Sequence, residues 1–328
     1  MTYQEAEKAF GRLFRHEMDE AQMRDFLLSM KLDETTPVEA IAAAAAVMSR
    51  HAVALPVAEA LKPKLIDIVG TGGDKSGSFN VSTTTAILCA GAGAYVAKHG
   101  NRSITSKSGS ADVLEALGVR LDLSLEQTAT MLEETGFAFM FAQNHHPAMK
   151  FIMPVRKSLS EKTVFNVLGP LTNPAGVRKY LLGVFDRIFV PKIAEALKLN
   201  DVESAIVVSA EEGMDEIGIS GITHAARIRR SVIEYFEIDP EAYGLKRAPF
   251  EAILGGDAKR NAQILQAVLS GTAEPAQRDI VLLNAAAALE ADGMARDIRE
   301  GLEIARDTVD SGRAKAKLAQ IVEVSSKL

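Results

Sequence analysis

The chain predicts an α/β fold: a small N-terminal α-helical domain, residues 1–63, and a large α/β domain, residues 64–328, whose mainly parallel central sheet is covered by helices. Three observations predict it. Residues 1–63 carry helix-start signals and no strand signal. From Leu65 onward, short apolar β-like runs alternate with helical patterns, the rhythm of a parallel sheet. The first two of these runs each lead into a loop rich in glycine and hydroxyl groups.

Taken in order, Thr2 with Glu5 and Thr36-Pro37-Val38-Glu39 match the capping box, with Pro37 suited to a first helical position. The alanine-rich run Ala40–Val47 permits close helix contact, inside a small bundle or against a second subunit. Strands are expected at Leu65–Val69, Ala94–Ala97, Phe137–Phe141, Tyr180–Phe185 and Ala205–Val208. Between them lie helical patterns such as Ala86–Ala92 and Ser124–Thr135, the latter opened by Ser124 and Gln127. Glu216–Ser220 and Ser231–Ile238 read as short antiparallel strands around a turn, and Asp257–Leu328 is helical after Gly255-Gly256.

Composition narrows the function classes. With 328 residues, 47% hydrophobic and 24% charged, the chain suits a globular protein of one large or two unequal domains. The single cysteine, Cys89, excludes an internal disulfide, fits a reducing compartment and sits in an apolar run that marks it as structural. No stretch reaches membrane-spanning length and the N-terminus is too polar for a signal peptide, so a cytoplasmic protein is expected. A net charge of −6 argues against nucleic acid as the main partner.

The two loops carry the chemistry. Gly70-Thr71-Gly72-Gly73-Asp74 breaks the first strand, and glycines there let backbone N–H groups approach an anion. Ser76, Ser78, Asn80, Ser82, Thr83, Thr84 and Thr85 then lead into a helix whose N-terminus suits phosphate. The second loop holds Lys98, Arg102 and Lys107 between Lys98 and Ala111 with no acidic residue, a local cationic patch on an acidic chain. Together they describe a polyphosphate cradle, although neither fits the P-loop or the G-x-G-x-x-G fingerprint.

On these residues the chain resembles the anthranilate phosphoribosyltransferases, which join anthranilate to phosphoribosyl pyrophosphate (PRPP) in tryptophan biosynthesis. The resemblance runs through Gly70–Asp74, Asn80-Val81-Ser82-Thr83, Lys98-His99-Gly100-Asn101-Arg102, Ser106–Asp112, His146–Lys150, Pro154-Val155-Arg156-Lys157, Phe165–Pro174, Met214-Asp215-Glu216 and Leu283–Leu289. It implies that Gly70, Gly73 and Asp74 line the sugar and pyrophosphate site, and that Ser78, Asn80, Val81, Ser82 and Thr83 contact phosphates. Lys98, His99, Gly100, Asn101, Arg102, Ser103, Ile104, Thr105 and Ser106 wrap the PRPP phosphates, with Ser110 adding a contact. Gly70 and Asn101 meet anthranilate, and Arg156 receives its carboxylate. Two magnesium ions are implied, one touching Ser82 and one held by Asp215 and Glu216. The resemblance also implies a homodimer joined through the helical domain, with helices around 160–178 returning to that domain.

The chemistry supports these roles. Anthranilate's aniline-like amine is neutral at pH 7, so no strong base is needed, and no acid/base residue is assigned. The barrier lies in releasing pyrophosphate, which N–H groups, hydroxyls, Lys98 and magnesium stabilise. Adjacent Asp215 and Glu216 suit a hard cation, and Arg156 offers a planar fork to a carboxylate. His99, His145 and His146 rank as orienting or packing residues. Val208-Ser209-Ala210 stands where similar enzymes often have a valine-histidine-glycine turn. A pyrimidine nucleoside phosphorylase shares the architecture, but its Ser-Gly-Arg-Gly segment is missing here. A non-catalytic nucleic-acid-binding relative would show a basic surface and damaged metal residues, and this chain shows neither.

Overall fold

A computed structural model describes residues 1–74, 76–102 and 107–328. The expectations for Ser103, Ile104, Thr105 and Ser106, and any role for Lys75, fall outside the described residues.

Three helices open the chain: α1 (Tyr3–Phe14), α2 (Glu20–Ser29) and α3 (Val38–Arg50). Thr2 caps α1 with Glu5 as its reciprocal partner, as expected, and Asp19 with Gln22 does the same for α2. At α3 the expected box does not form. The Thr36 hydroxyl donates to Lys31 O and accepts from Asp33 N, so Pro37 occupies the N-cap without a side-chain bond. Ala40 to Ala45 are essentially inaccessible, because α3 is sandwiched between α1 and a helix of the large domain. The alanine run therefore serves close packing within one chain.

The remaining elements are β1 (Leu65–Gly70), α4 (Val81–Ala92), β2 (Tyr95–Gly100), α5 (Ser110–Ala116), α6 (Leu125–Thr135), β3 (Phe137–Phe141), α7 (Ala142–His145), α8 (Met149–Lys157), α9 (Phe165–Leu168), β4 (Lys179–Gly183), α10 (Phe189–Leu199), β5 (Ser204–Ala210), β6 (Thr223–Arg229), β7 (Val232–Ile238), α11 (Ala258–Leu269), α12 (Pro275–Asp292), α13 (Ile298–Asp310) and α14 (Arg313–Lys327). The strands form one sheet in the order β3-β2-β1-β4-β5-β6-β7. Its first five strands are parallel, and β6 and β7 add an antiparallel hairpin. Leu65, Ile66 and Ile68 of β1 are buried because helices cover a parallel sheet on both faces. Full burial of each is worth roughly 1.5–3 kcal/mol.

The five expected strands all form, whereas Glu216–Ser220 does not. Ile217, Gly218 and Ile219 are consecutively buried, as a fully covered strand would be. Their backbone, however, is held by side chains: Asn284 Nδ2 donates to Ile217 O (2.9 Å), Ile217 N donates to Asn284 Oδ1 (3.0 Å), and Gly218 N donates to Thr223 Oγ1 (2.9 Å). The hairpin is built from Thr223–Arg229 and Val232–Ile238 instead.

Sheet order positions the site. From β1 the chain steps outward to β2 and β3, then crosses back to β4 on the other side of β1. That reversal opens a crevice at the carboxyl ends of β1 and β4, where Gly70 lies opposite Gly183. The crossover visits the N-terminal helices: α8 packs on α2 and α9 on α3, and Leu32 N and Val164 N donate to Lys162 O (2.9 Å) and Met30 O (3.0 Å). The crossover helices that touch the N-terminal ones are thus 149–157 and 165–168.

Candidate functional site

The loop after β1 and the loop after β5 meet in that crevice. Gly72 and Gly73 adopt left-handed backbone angles (φ 66° and 75°), which turn the chain sharply and direct Gly72 N to Asp215 Oδ2 at 2.6 Å. Two strand-end glycines make the approach possible: a Cβ at Gly70 would overlap the Asp215 carboxylate, and one at Gly183 its backbone carbonyl. β5 runs regularly through Val208-Ser209-Ala210, and the turn after it is closed by Gly213 N to Ala210 O (2.9 Å) and Ala210 N to Met214 O (3.1 Å). The departure in sequence there leaves the acidic loop in place.

Asp74, Asp215 and Glu216 converge, each offering an oxygen within 4.8 Å of the others. Desolvation first, and the neighbouring carboxylates second, raise Asp215 and Glu216 above the usual carboxylate range. The nearby Ser82 backbone N–H pulls Glu216 the other way, yet its Oε2 is sealed from solvent with no hydrogen-bond partner among the described residues. Such an orphaned oxygen among three acids fits a hard, oxygen-liking divalent cation, which would relieve both the repulsion and the unmet hydrogen bond. Asp74 joins the set that the sequence reading limited to Ser82, Asp215 and Glu216.

Lys98 supplies the positive charge beside these acids. Its Nζ, on β2 and 1% exposed with the rest of the side chain, donates to Ile68 O (2.6 Å) and reaches Ser82 Oγ (3.4 Å). Burial lowers its pKa, opposed by Asp67, Glu216 and Asp215. Asp67 is a partner that sequence reasoning missed. It is fully buried, accepts from His99 N (3.2 Å) and Asn173 Nδ2 (2.7 Å), and burial pushes it up to about 7. Its signal was present, since an acid in the middle of an otherwise apolar strand requires a partner.

At the start of α4, Asn80 is the N-cap, but its side chain makes no capping bond. Val81 and Thr83 are buried, and Thr83 Oγ1 lacks a partner among the described residues. Ser78 pairs as an isolated bridge with Leu254, strapping this loop to the segment before α11. Ser110 begins α5, and the Asn101 carbonyl accepts from Ala111 N (3.4 Å), joining the end of β2 to the start of that helix.

The cationic patch is smaller than the sequence implied. The Arg102 guanidinium is engaged by Asp112 and Glu115 of α5, and Lys98 faces inward rather than outward. Arg156 behaves differently. It is half-buried in the last turn of α8, its guanidinium lies 5.9 Å from the Phe165 ring centroid, and it has no carboxylate partner among the described residues. Desolvation lowers its pKa. The His99 and His146 rings stand 5.3 Å apart, each with Nε2 buried and unpartnered, and burial pushes them down to about 3 and about 4.

Comparison with known proteins agrees with this architecture. Residues 62–315 match the model of the glycosyl transferase family, a/b domain. The chain is 46% identical over 326 residues to the anthranilate phosphoribosyltransferase of Rhodopseudomonas palustris strain TIE-1, covering 99% of this chain and 95% of that one. It superimposes on the crystal structure of anthranilate phosphoribosyltransferase from Thermus thermophilus with a TM-score of 0.91 at 38% identity, covering 99% and 96% of the two chains. The Saccharomyces cerevisiae enzyme in complex with PRPP and Mg gives 0.88 at 28% identity, covering 100% and 94%. With a family match across most of its length and relatives this similar over nearly the whole chain, the protein belongs to the anthranilate phosphoribosyltransferase family.

Proposed function

We propose that the protein transfers the phosphoribosyl group of PRPP to the amine of anthranilate, forming N-(5-phosphoribosyl)anthranilate and pyrophosphate in tryptophan biosynthesis. The observation that carries this reading is the convergence of Asp74, Asp215 and Glu216 beside Lys98 and a helix N-terminus that its own cap leaves unbonded. It is an assembly for a metal-bound polyphosphate.

The bond from ribose C1 to pyrophosphate breaks as the amine nitrogen bonds to C1, and the surplus amine proton passes to solvent. Negative charge grows on the departing oxygens. Backbone N–H groups at the start of α4 and at Gly73, with the Ser78 and Ser82 hydroxyls, would receive that charge, Gly72 N being engaged by Asp215. Magnesium, held by Asp215, Glu216 and Ser82 with Asp74 beside them, would neutralise the pyrophosphate. We assign two ions per site, following the family resemblance. Asn101 positions the aromatic substrate, and Arg156, a desolvated guanidinium without an acid of its own, receives its carboxylate.

The N-terminal helices with the returning segment form the small domain of a two-domain enzyme, and they join two copies as a homodimer. The support is the exposure of Leu28 on α2 and Phe151 on α8, 39% and 54%, since Ala40–Val47 is used up within the chain. Among the described residues no helix is long and apolar enough to cross a membrane, and the lone Cys89 is buried, in keeping with a cytoplasmic enzyme. Loss of anthranilate fluorescence that requires protein, PRPP and magnesium together tests the activity. Fluorescence unchanged with folded protein contradicts it.

A further inference from the structure

Asn261 belongs to α11, far along the chain from every residue assigned to the site, and is 2% exposed. Both polar atoms of its amide are engaged. Oδ1 accepts from Gly256 N (2.7 Å), and Nδ2 donates to Asn80 Oδ1 (2.9 Å). Asn80 in turn bridges the two loops, with Nδ2 donating to Ser108 O (3.2 Å) and Oδ1 accepting from Ser108 Oγ (3.3 Å). The strap that carries Asn261 is itself tied down by Gly255 N to Gly77 O (2.9 Å) and Phe79 N to Ile253 O (3.1 Å).

An asparagine at an N-cap ordinarily turns its side-chain oxygen onto the second or third N–H of its own helix. Asn80 does not, because that oxygen already accepts from Asn261 and Ser108. The consequence falls on α4: no N–H of its first turn donates to the Asn80 side chain, which leaves that end open to an anion.

We propose that Asn261 is a positioning residue for the reaction: it holds Asn80 off the α4 N-terminus and so keeps that end open for the phosphates. This rests on the PRPP reading of the site. Replacing Asn261 by Asp removes the donor and sets a negative charge against Asn80 Oδ1. Asn80 then swings back to cap α4 and competes with the ligand.

The test is a double-mutant cycle on the full chain, read by calorimetric binding of magnesium pyrophosphate and by steady-state kinetics. Asn261→Asp is expected to weaken pyrophosphate binding and raise the KM for PRPP about tenfold, with the KM for anthranilate unchanged. In an Asn80→Ala background, where no side chain can cap the helix, the same change is expected to shift pyrophosphate binding by less than about twofold. Asn261→Ser, which keeps a small hydrogen-bonding group, covers the case in which a buried carboxylate prevents folding and is expected to show the same non-additivity. Effects of Asn261 that add fully to those of Asn80→Ala, or that change both KM values alike, overturn the proposal. Wild-type protein that binds magnesium pyrophosphate but transfers nothing to anthranilate contradicts the activity instead, and the binding cycle still decides the role of Asn261.

Discussion

Arg156 and Glu216 show what single side chains contribute. A half-buried guanidinium that leans on Phe165 and faces no acid is desolvated without compensation until a carboxylate arrives. Arg156→Ala is therefore expected to raise the KM for anthranilate by roughly 2–3 kcal/mol of lost binding, leaving PRPP binding within about twofold. Equal losses for both substrates contradict the assignment. Glu216, with an orphaned oxygen beside Asp215, predicts that Glu216→Gln raises the magnesium concentration for half-maximal rate about tenfold or more. An unchanged magnesium titration contradicts a metal there. The sequence singled out both residues through their motif neighbourhoods. Asn261 was not, because one polar residue early in a helix looks like any solvated position until its partner, 181 residues away, is in view.

At the scale of elements, the site depends on loops passing between strand ends that lack a Cβ. Gly70 opens an obvious motif and was singled out as a site residue, but Gly183 lies inside the ordinary apolar run Tyr180–Phe185, and its reason lies in the Asp215 carbonyl on another loop. Gly183→Ala must displace that loop. A loss of about 1–3 kcal/mol in stability, with a larger loss of magnesium response than of anthranilate affinity, is the expected outcome. Thermal unfolding and a magnesium titration read it, and full activity with unchanged melting contradicts the packing argument. The same limit explains Glu216–Ser220. The β-like character of the segment was legible, but which groups satisfy its backbone was not, and Asn284 supplies them in place of a strand. The positions of the five strands and Ser124's capping box were legible because their signals are local.

For the whole molecule, buried titratable groups set the response to acid. His146 is held down to about 4 by burial, below its ordinary 6.5. Between those values the unfolded chain binds a proton that the folded chain refuses, so this group's contribution is fully present above about pH 6.5 and is lost as pH falls. Asp67, raised to about 7, acts oppositely: the folded chain holds a proton that the unfolded chain releases above about pH 4, so its contribution favours lower pH. His146→Gln removes one term and leaves the other. Relative to wild type, the variant is expected to gain about 1.4 kcal/mol per pH unit on going from pH 6.5 toward pH 4.5. Denaturant unfolding at several pH values measures the difference, and parallel curves contradict a buried neutral His146.

These scales meet in one claim, that the crevice at the ends of β1 and β4 holds a metal-bound PRPP. Anomalous diffraction from manganese in crystals grown with PRPP tests it most directly. The account predicts a peak between Asp74, Asp215 and Glu216, with the pyrophosphate running from it toward the start of α4. Manganese and PRPP bound elsewhere on the molecule, with this cluster empty, would contradict it.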